Sequence, residues 1–189
     1  MTPQEQKNRL NDIIFHAQRC RLHDDEQREY GQMGLGITIY FYGGGSAAGQ
    51  QKVLDIFRQY QERYGEFLKG LFVERHHRRF IQFTYAKFNE YVEKAKLFSA
   101  KNNSLSFAMG SDRWGDYADD YVCETLTTSP TGESEYNQLS YLRLVFPIDW
   151  LQSADKRQEF EEWVDFLCTE FDVFHGYAGL ECVLPYGFY

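Results

Sequence analysis

Two periodicities alternate along the chain. Leu35-Gly36-Ile37-Thr38-Ile39-Tyr40-Phe41-Tyr42 is β-branched and aromatic and is bounded by glycines, which predicts a strand. Gly43-Gly44-Gly45-Ser46 punctuates it, and the apolar spacing then turns helical through Val53, Ile56, Phe57, Tyr60, Tyr64, Phe67 and Leu68. Leu71–Val73 reads as a short strand. Tyr85, Phe88, Val92, Ala95 and Phe98 form the stripe of a second helix, Tyr85 to Ser99, stopped by Asn102-Asn103. Ser104–Met109 and Asp119–Thr127 read as strands, and Ser129–Glu133 reads as a turn. Tyr141–Phe146 is a strand ending at Pro147. A helix from Ala154 to Phe171 follows, with Phe160, Trp163, Val164 and Leu167 on its apolar side. Gly176–Leu184 is the last strand. Before all of these, Asn11–Arg21 reads as a short helix carrying Ile13, Ile14 and Ala17, and His23–Glu26 as a solvated turn.

This order divides the chain into a polar N-terminal segment, 1–30, and a single α/β (α+β) domain over 31–189. The domain is expected to be a mostly antiparallel sheet covered by two to four helices. A weak internal echo supports it. Strand, break, helix and short return strand occur once from Ile37 and again from Leu142.

Composition narrows the classes. The 189 residues are 43% hydrophobic and 17% aromatic, which excludes a disordered tail, a collagen-like chain or a coiled-coil rod. No apolar run is long enough to cross a bilayer. Met1–Lys7 is polar with no apolar stretch behind it, so a cytoplasmic location without a secretory signal is expected. Cys20, Cys123, Cys168 and Cys182 include no CxxC pair, and four reduced thiols in mostly apolar surroundings are expected, with no metal and no cofactor.

The charge is uneven. The net charge is −8, but residues 1–101 carry 16 bases against 12 acids, whereas residues 102–189 carry 4 bases against 16 acids. Such an acidic half repels nucleic acid and anionic membrane and attracts basic partners.

Catalytic patterns fail in turn. Gly49 is followed by Gln50-Gln51 and makes no phosphate-binding P-loop, and Ser46 lacks the second glycine of a nucleophile elbow. The adjacent His76-His77 of a basic knot point to opposite faces if extended, a poor chelate. The one (Asp/Glu)-x-Lys, Glu5-Gln6-Lys7, lies in the polar N-terminus, away from any nuclease-like strand. What remains is two acidic surfaces. One is Asp112–Glu124, where Trp114, Tyr117 and Tyr121 are interleaved with carboxylates. The other is the helix Asp155–Asp172.

Three segments resemble one bacterial family: Tyr141-Leu142-Arg143-Leu144-Val145-Phe146-Pro147 with its following helix, His175-Gly176-Tyr177-Ala178-Gly179-Leu180, and Leu35–Tyr42 with its following helix. The family is the type VI secretion system immunity proteins that protect against effectors with a VRR-Nuc, PD-(D/E)xK-like nuclease domain, and the likeness spans residues 30–186. It implies a non-enzymatic cytosolic antitoxin that binds and blocks a cognate DNase toxin by covering its basic cleft. It supplies no binding residues. From charge and aromatic content, the toxin contact is expected at Asp112, Trp114, Asp116, Tyr117, Asp119, Asp120 and Tyr121, on a loop held between two strands. Two other readings compete. One is a small hydrolase or ligand-binding domain with a site near Gly43–Gly45 and His175. The other is a nucleic-acid-binding protein using the basic segment Lys69–Lys101.

Overall fold

Glu29–Phe41 forms the central strand, β2, of 13 residues. Leu35, Ile37, Ile39 and Phe41 are buried on one face, as period-two alternation requires. The structure, a computed structural model, describes residues 2–27, 29–73, 80–102 and 104–185, so the His76–Arg79 knot and Asn103 lie outside the described residues. Leu35 pairs with both Phe146 of β7 (Ser140–Pro147) and Leu180 of β8 (Val173–Val183), so these strands flank β2 on opposite edges. The sheet continues from β7 through β6 (Val122–Leu126), β5 (Ser106–Gly110) and β3 (Gly70–Val73) to β4 (Ile81–Gln82). The short β1 (Arg21–His23) pairs with the start of β2, and every pairing in this eight-stranded sheet is antiparallel.

Helices α2 (Ala47–Tyr64), α3 (Tyr85–Asn102) and α5 (Ala154–Glu170) cover one face. Their buried residues, among them Val53, Phe57, Tyr60, Phe88, Val92, Trp163 and Leu167, share one core with Leu35, Ile37, Phe107, Leu144 and Phe146. Aromatic rings fill its centre: Tyr60 and Tyr64 meet Phe146 and Trp163, and the Trp163 indole N–H donates to the Tyr64 hydroxyl at 2.9 Å. The fold class is therefore the expected α+β one.

Several boundaries differ from the expectation. Helix α1 runs Pro3–Ala17, not Asn11–Arg21, because Thr2 and Glu5 close a capping box upstream of the apolar residues. It packs beside the 3-10 turn Ile148–Gln152, and Arg21 begins β1 instead. Ser129–Glu133 is no simple turn: Ser129 caps a short helix, α4 (Pro130–Tyr136), with proline in its first turn and Asn137 closing it at φ 51°. β2 and β8 both begin earlier than their apolar patterns indicate. The echoed units exist as β2–α2–β3 and β7–α5–β8, but their return strands land in unlike places, beside β5 and beside β2 respectively. Cys123 is buried, whereas Cys20, Cys168 and Cys182 are exposed, so the apolar surroundings expected for the thiols hold for Cys123 alone.

Candidate functional site

The acidic, aromatic loop joins the end of β5 to the start of β6, and its shape is set by one buried carboxylate. Asp119 is only 6% exposed. Its Oδ1 accepts from the Ser111 hydroxyl at 2.9 Å and from the Asp112 backbone N–H. Ser111 in turn donates its N–H to the Tyr121 carbonyl at 3.0 Å and accepts from the Asp120 N–H at 2.9 Å, closing the loop's base. Gly110 is required there, because a Cβ would stand 2.5 Å from Asp119 Oδ2. Burial pushes the Asp119 carboxyl up to about 7; its two hydrogen bonds oppose the rise, and the Asp112 and Asp120 charges add to it.

The other acids divide the work. Asp112 Oδ2 accepts from the backbone N–H groups of Trp114 and Asp116, both at 3.0 Å, and folds the tip around Gly115, which has φ 71°. Asp120 accepts from Gln32 Nε2 at 2.9 Å and ties the loop to β2. Of the seven residues expected at the toxin contact, Trp114, Asp116, Tyr117 and Asp120 are exposed, and Asp112 is half-buried. Asp119 and Tyr121 point inward. Tyr121 stacks on Phe67 with centroids 4.6 Å apart and leans on Tyr64 and Trp150. Trp114, 44% exposed, lies under the Arg113 guanidinium at 4.5 Å, and Arg113 donates to Gln82 Oε1 at 3.2 Å. The loop thus presents two aromatic rings and two carboxylates from a base held by backbone and side-chain bonds.

By spacing alone Phe67 falls on a helix stripe. Helix α2 ends at Tyr64, and Phe67 instead extends the exposed aromatic surface from the loop. The signal for this ending is Gly65, which stands at the helix end. The acids of α5 behave differently from those of the loop. Glu159 accepts from the Tyr64 hydroxyl at 2.5 Å and from Lys156 at 2.7 Å. Its partial burial works against the charge, but these two hydrogen bonds outweigh it and hold the carboxyl below its usual range. It is a structural acid of the aromatic core.

On the sheet face away from the helices, Arg143 of β7 donates to Glu124 Oε1 at 3.1 Å and to Glu181 Oε1 at 2.8 and 3.0 Å. All three side chains are largely buried, so Glu124, counted by sequence among the loop acids, belongs to this network. Burial raises both carboxyls and Arg143 opposes the rise. The triad floors a groove of ≈ 430 Å³ also lined by Thr38, Tyr40, Leu126 and Tyr141.

The Gly43–Gly45 turn is closed. The Gly43 N–H donates to Glu133 Oε2 at 3.0 Å, Gly44 abuts Ser140, and Gly45 abuts Thr128 and Pro130. His175 stacks on Tyr40 at 4.5 Å and is not drawn into that turn. Among the described residues, no group of three or more His, Cys, Asp or Glu is placed to hold a metal ion, and no helix is long and apolar enough to cross a membrane. Of the basic segment Lys69–Lys101, several arginines lie outside the described residues. Lys94 and Lys96 pair with Glu90 and Glu93.

Residues 52–189 match the model of one protein family, TsiV, described as type VI immunity for VRR-NUC. Among solved structures, the Pseudomonas aeruginosa T6SS protein PA0821 has the same fold, with a TM-score of 0.70 and 16% identity over 98% of this chain and 52% of that one. The chain therefore spans about half the length of that protein. No curated protein matches the sequence. The family match starts after Leu35–Tyr42, so the likeness of that strand rests on the fold alone.

Proposed function

We propose that this chain, which belongs to the TsiV family of type VI immunity proteins for VRR-NUC, binds a VRR-Nuc-type toxin and blocks it by covering the basic surface that would hold DNA. The reading makes it a cytoplasmic binder, with no turnover and no direct contact to nucleic acid or membrane. The observation that carries the docking site is the loop from Ser111 to Tyr121. Its aromatic and acidic tip is held on the Asp119 carboxylate, so little ordering cost remains for binding. Trp114 and Tyr117 supply anchors, and Asp116 and Asp120 supply steering and register against a basic partner.

The test is a binding titration against a VRR-Nuc nuclease, alongside inhibition of its DNase activity. Trp114→Ala is expected to cost about 2 kcal/mol or more of affinity, the range of a buried aromatic hot spot. The comparison variant is Glu161→Gln with Asp165→Asn, two exposed acids of α5 outside the Glu159 network. Each variant is first shown to be folded. A larger loss from the α5 pair than from Trp114→Ala would move the interface off the loop.

A further inference from the structure

The helices cover one face of the sheet, and the other face carries a fixed charge imbalance. Glu124, Arg143 and Glu181 stand there on β6, β7 and β8 and set two carboxylates against one guanidinium. Arg143 takes one oxygen of each acid, Glu124 Oε1 and Glu181 Oε1. The second oxygens, Glu124 Oε2 and Glu181 Oε2, accept no hydrogen bond among the described residues. Glu124 is only 4% exposed, yet both acids line the ≈ 430 Å³ groove. A buried carboxylate with an unused oxygen is costly unless something else satisfies it. The imbalance shows in both groups: burial raises each carboxyl, Arg143 opposes the rise, and the Glu124 charge pushes Glu181 further up. The walls above this floor are aromatic and apolar. Tyr40 and Tyr141 line it with ring centroids 6.3 Å apart, and Leu126 stands at the rim, 46% exposed. Tyr177, 52% exposed, lies across from Thr38 and extends the same face.

We propose that this groove receives one arginine side chain from a protein partner, its guanidinium on the second oxygens of Glu124 and Glu181 and its stem along Tyr40 and Tyr141. The floor is one positive charge short of balance, so the guest is a cation. A guanidinium is planar, weakly hydrated and rich in donors, and it stacks on aromatic rings. It therefore serves two carboxylates from different strands better than the compact, strongly hydrated ammonium of lysine. The apolar rim is wider than a guanidinium and calls for a protein surface as the source, because arginine and aromatic side chains are the usual anchors of interfaces. The net charge of −8 draws basic partners toward it. The docking loop is close by. Val122, Val145 and Val183 form the next row on this face, about 7 Å along the strands, and Ala118 of the loop packs against them. A partner seated on the loop can thus reach the groove, but the groove does not depend on the nuclease reading.

Nitrogen–proton correlation spectra of the isotope-labelled full chain test it. The probes are a capped tripeptide with arginine between two leucines, the same peptide with uncharged citrulline in place of arginine, and free arginine. The arginine peptide is expected to shift amides of β2, β6, β7 and β8 around the groove with a dissociation constant on the order of 1 mM. The citrulline peptide and free arginine are expected to bind about tenfold more weakly or not at all. Glu124→Gln and Glu181→Gln each keep an oxygen for Arg143 but remove a charge, and each is expected to weaken the arginine peptide about tenfold. Leu126→Lys, at the exposed rim, leaves the floor intact and is expected to weaken the peptide by repulsion. Circular dichroism confirms that each variant is folded, and Leu126→Lys decides where a floor variant is not. An arginine peptide that leaves the groove amides unshifted at about 20 mM overturns the proposal. So does equal binding of the citrulline peptide, or binding that none of the folded variants weakens. Free arginine bound as tightly as the peptide overturns it as well, because the groove would then be a small-molecule site.

Discussion

Asp119 shows how one carboxylate can set both the shape and the pH response of a surface. Its folded pKa is raised to about 7 from an ordinary 3.8, chiefly by burial. The sign follows from linkage. Above about pH 4 the unfolded chain has lost this proton while the folded protein still holds it. This group's contribution to stability is therefore complete at low pH and declines as pH rises to about 7. Asp119→Asn keeps an oxygen acceptor for Ser111 and Asp112 but cannot ionise. Relative to wild type, the variant is expected to gain stability progressively between about pH 4 and pH 7 and to stay level above that. Urea unfolding at several pH values measures the difference, and a difference that is flat across this window would refute the role given to Asp119. This inward acid is not legible in sequence. Asp112, Asp116, Asp119 and Asp120 look alike as letters, and what separates Asp119 is its burial against Gly110 with Ser111 and Asp112 donating to it.

Between elements, the strands are readable from sequence and their cross-links are not. Leu35–Phe41 and Leu142–Phe146 declare themselves because alternation and β-branching are local. The N-terminal part of β2 escapes a sequence reading because Gly31, Gln32 and Gly34 interrupt its apolar pattern, and pairing with β1 and β8 supplies what propensity does not. Arg143 reaches Glu124 and Glu181 across 19 and 38 residues of sequence, a distance that no motif spans. The link depends on Gly36 of β2, which lies between β7 and β8. A Cβ at Gly36 would sit 2.0 Å from the Glu181 carboxyl carbon. Arg143→Leu leaves two buried carboxylates without their cation and is expected to cost about 3–5 kcal/mol at pH 7. Both carboxyls are already raised by burial, and losing Arg143 raises them further. The orphaned groups take up protons as pH falls, so the loss should shrink toward pH 4. Chemical denaturation at pH 7 and pH 4 measures it, and an equal loss at both would assign the effect to packing rather than charge.

For the whole molecule, the charge asymmetry and the loop make separable contributions to the proposed complex. Residues 102–189 hold 16 acids against 4 bases, so a basic toxin is drawn toward this half before any contact forms. At physiological salt the screening length is about 8 Å, which weakens that attraction but leaves close contacts largely intact. The association rate is therefore expected to fall with rising salt while the dissociation rate changes little. Asp116→Asn with Asp120→Asn removes two exposed charges, and the amide oxygen introduced at position 120 can keep the bond from Gln32. That variant should associate more slowly and with a shallower salt dependence. Trp114→Ala should instead keep the salt dependence of wild type and dissociate faster, because it removes an anchor and no charge. Surface plasmon resonance at several salt concentrations separates the two rates. A double variant that kept the full salt slope would place the steering charge elsewhere in the acidic half and leave the loop with an anchoring role only.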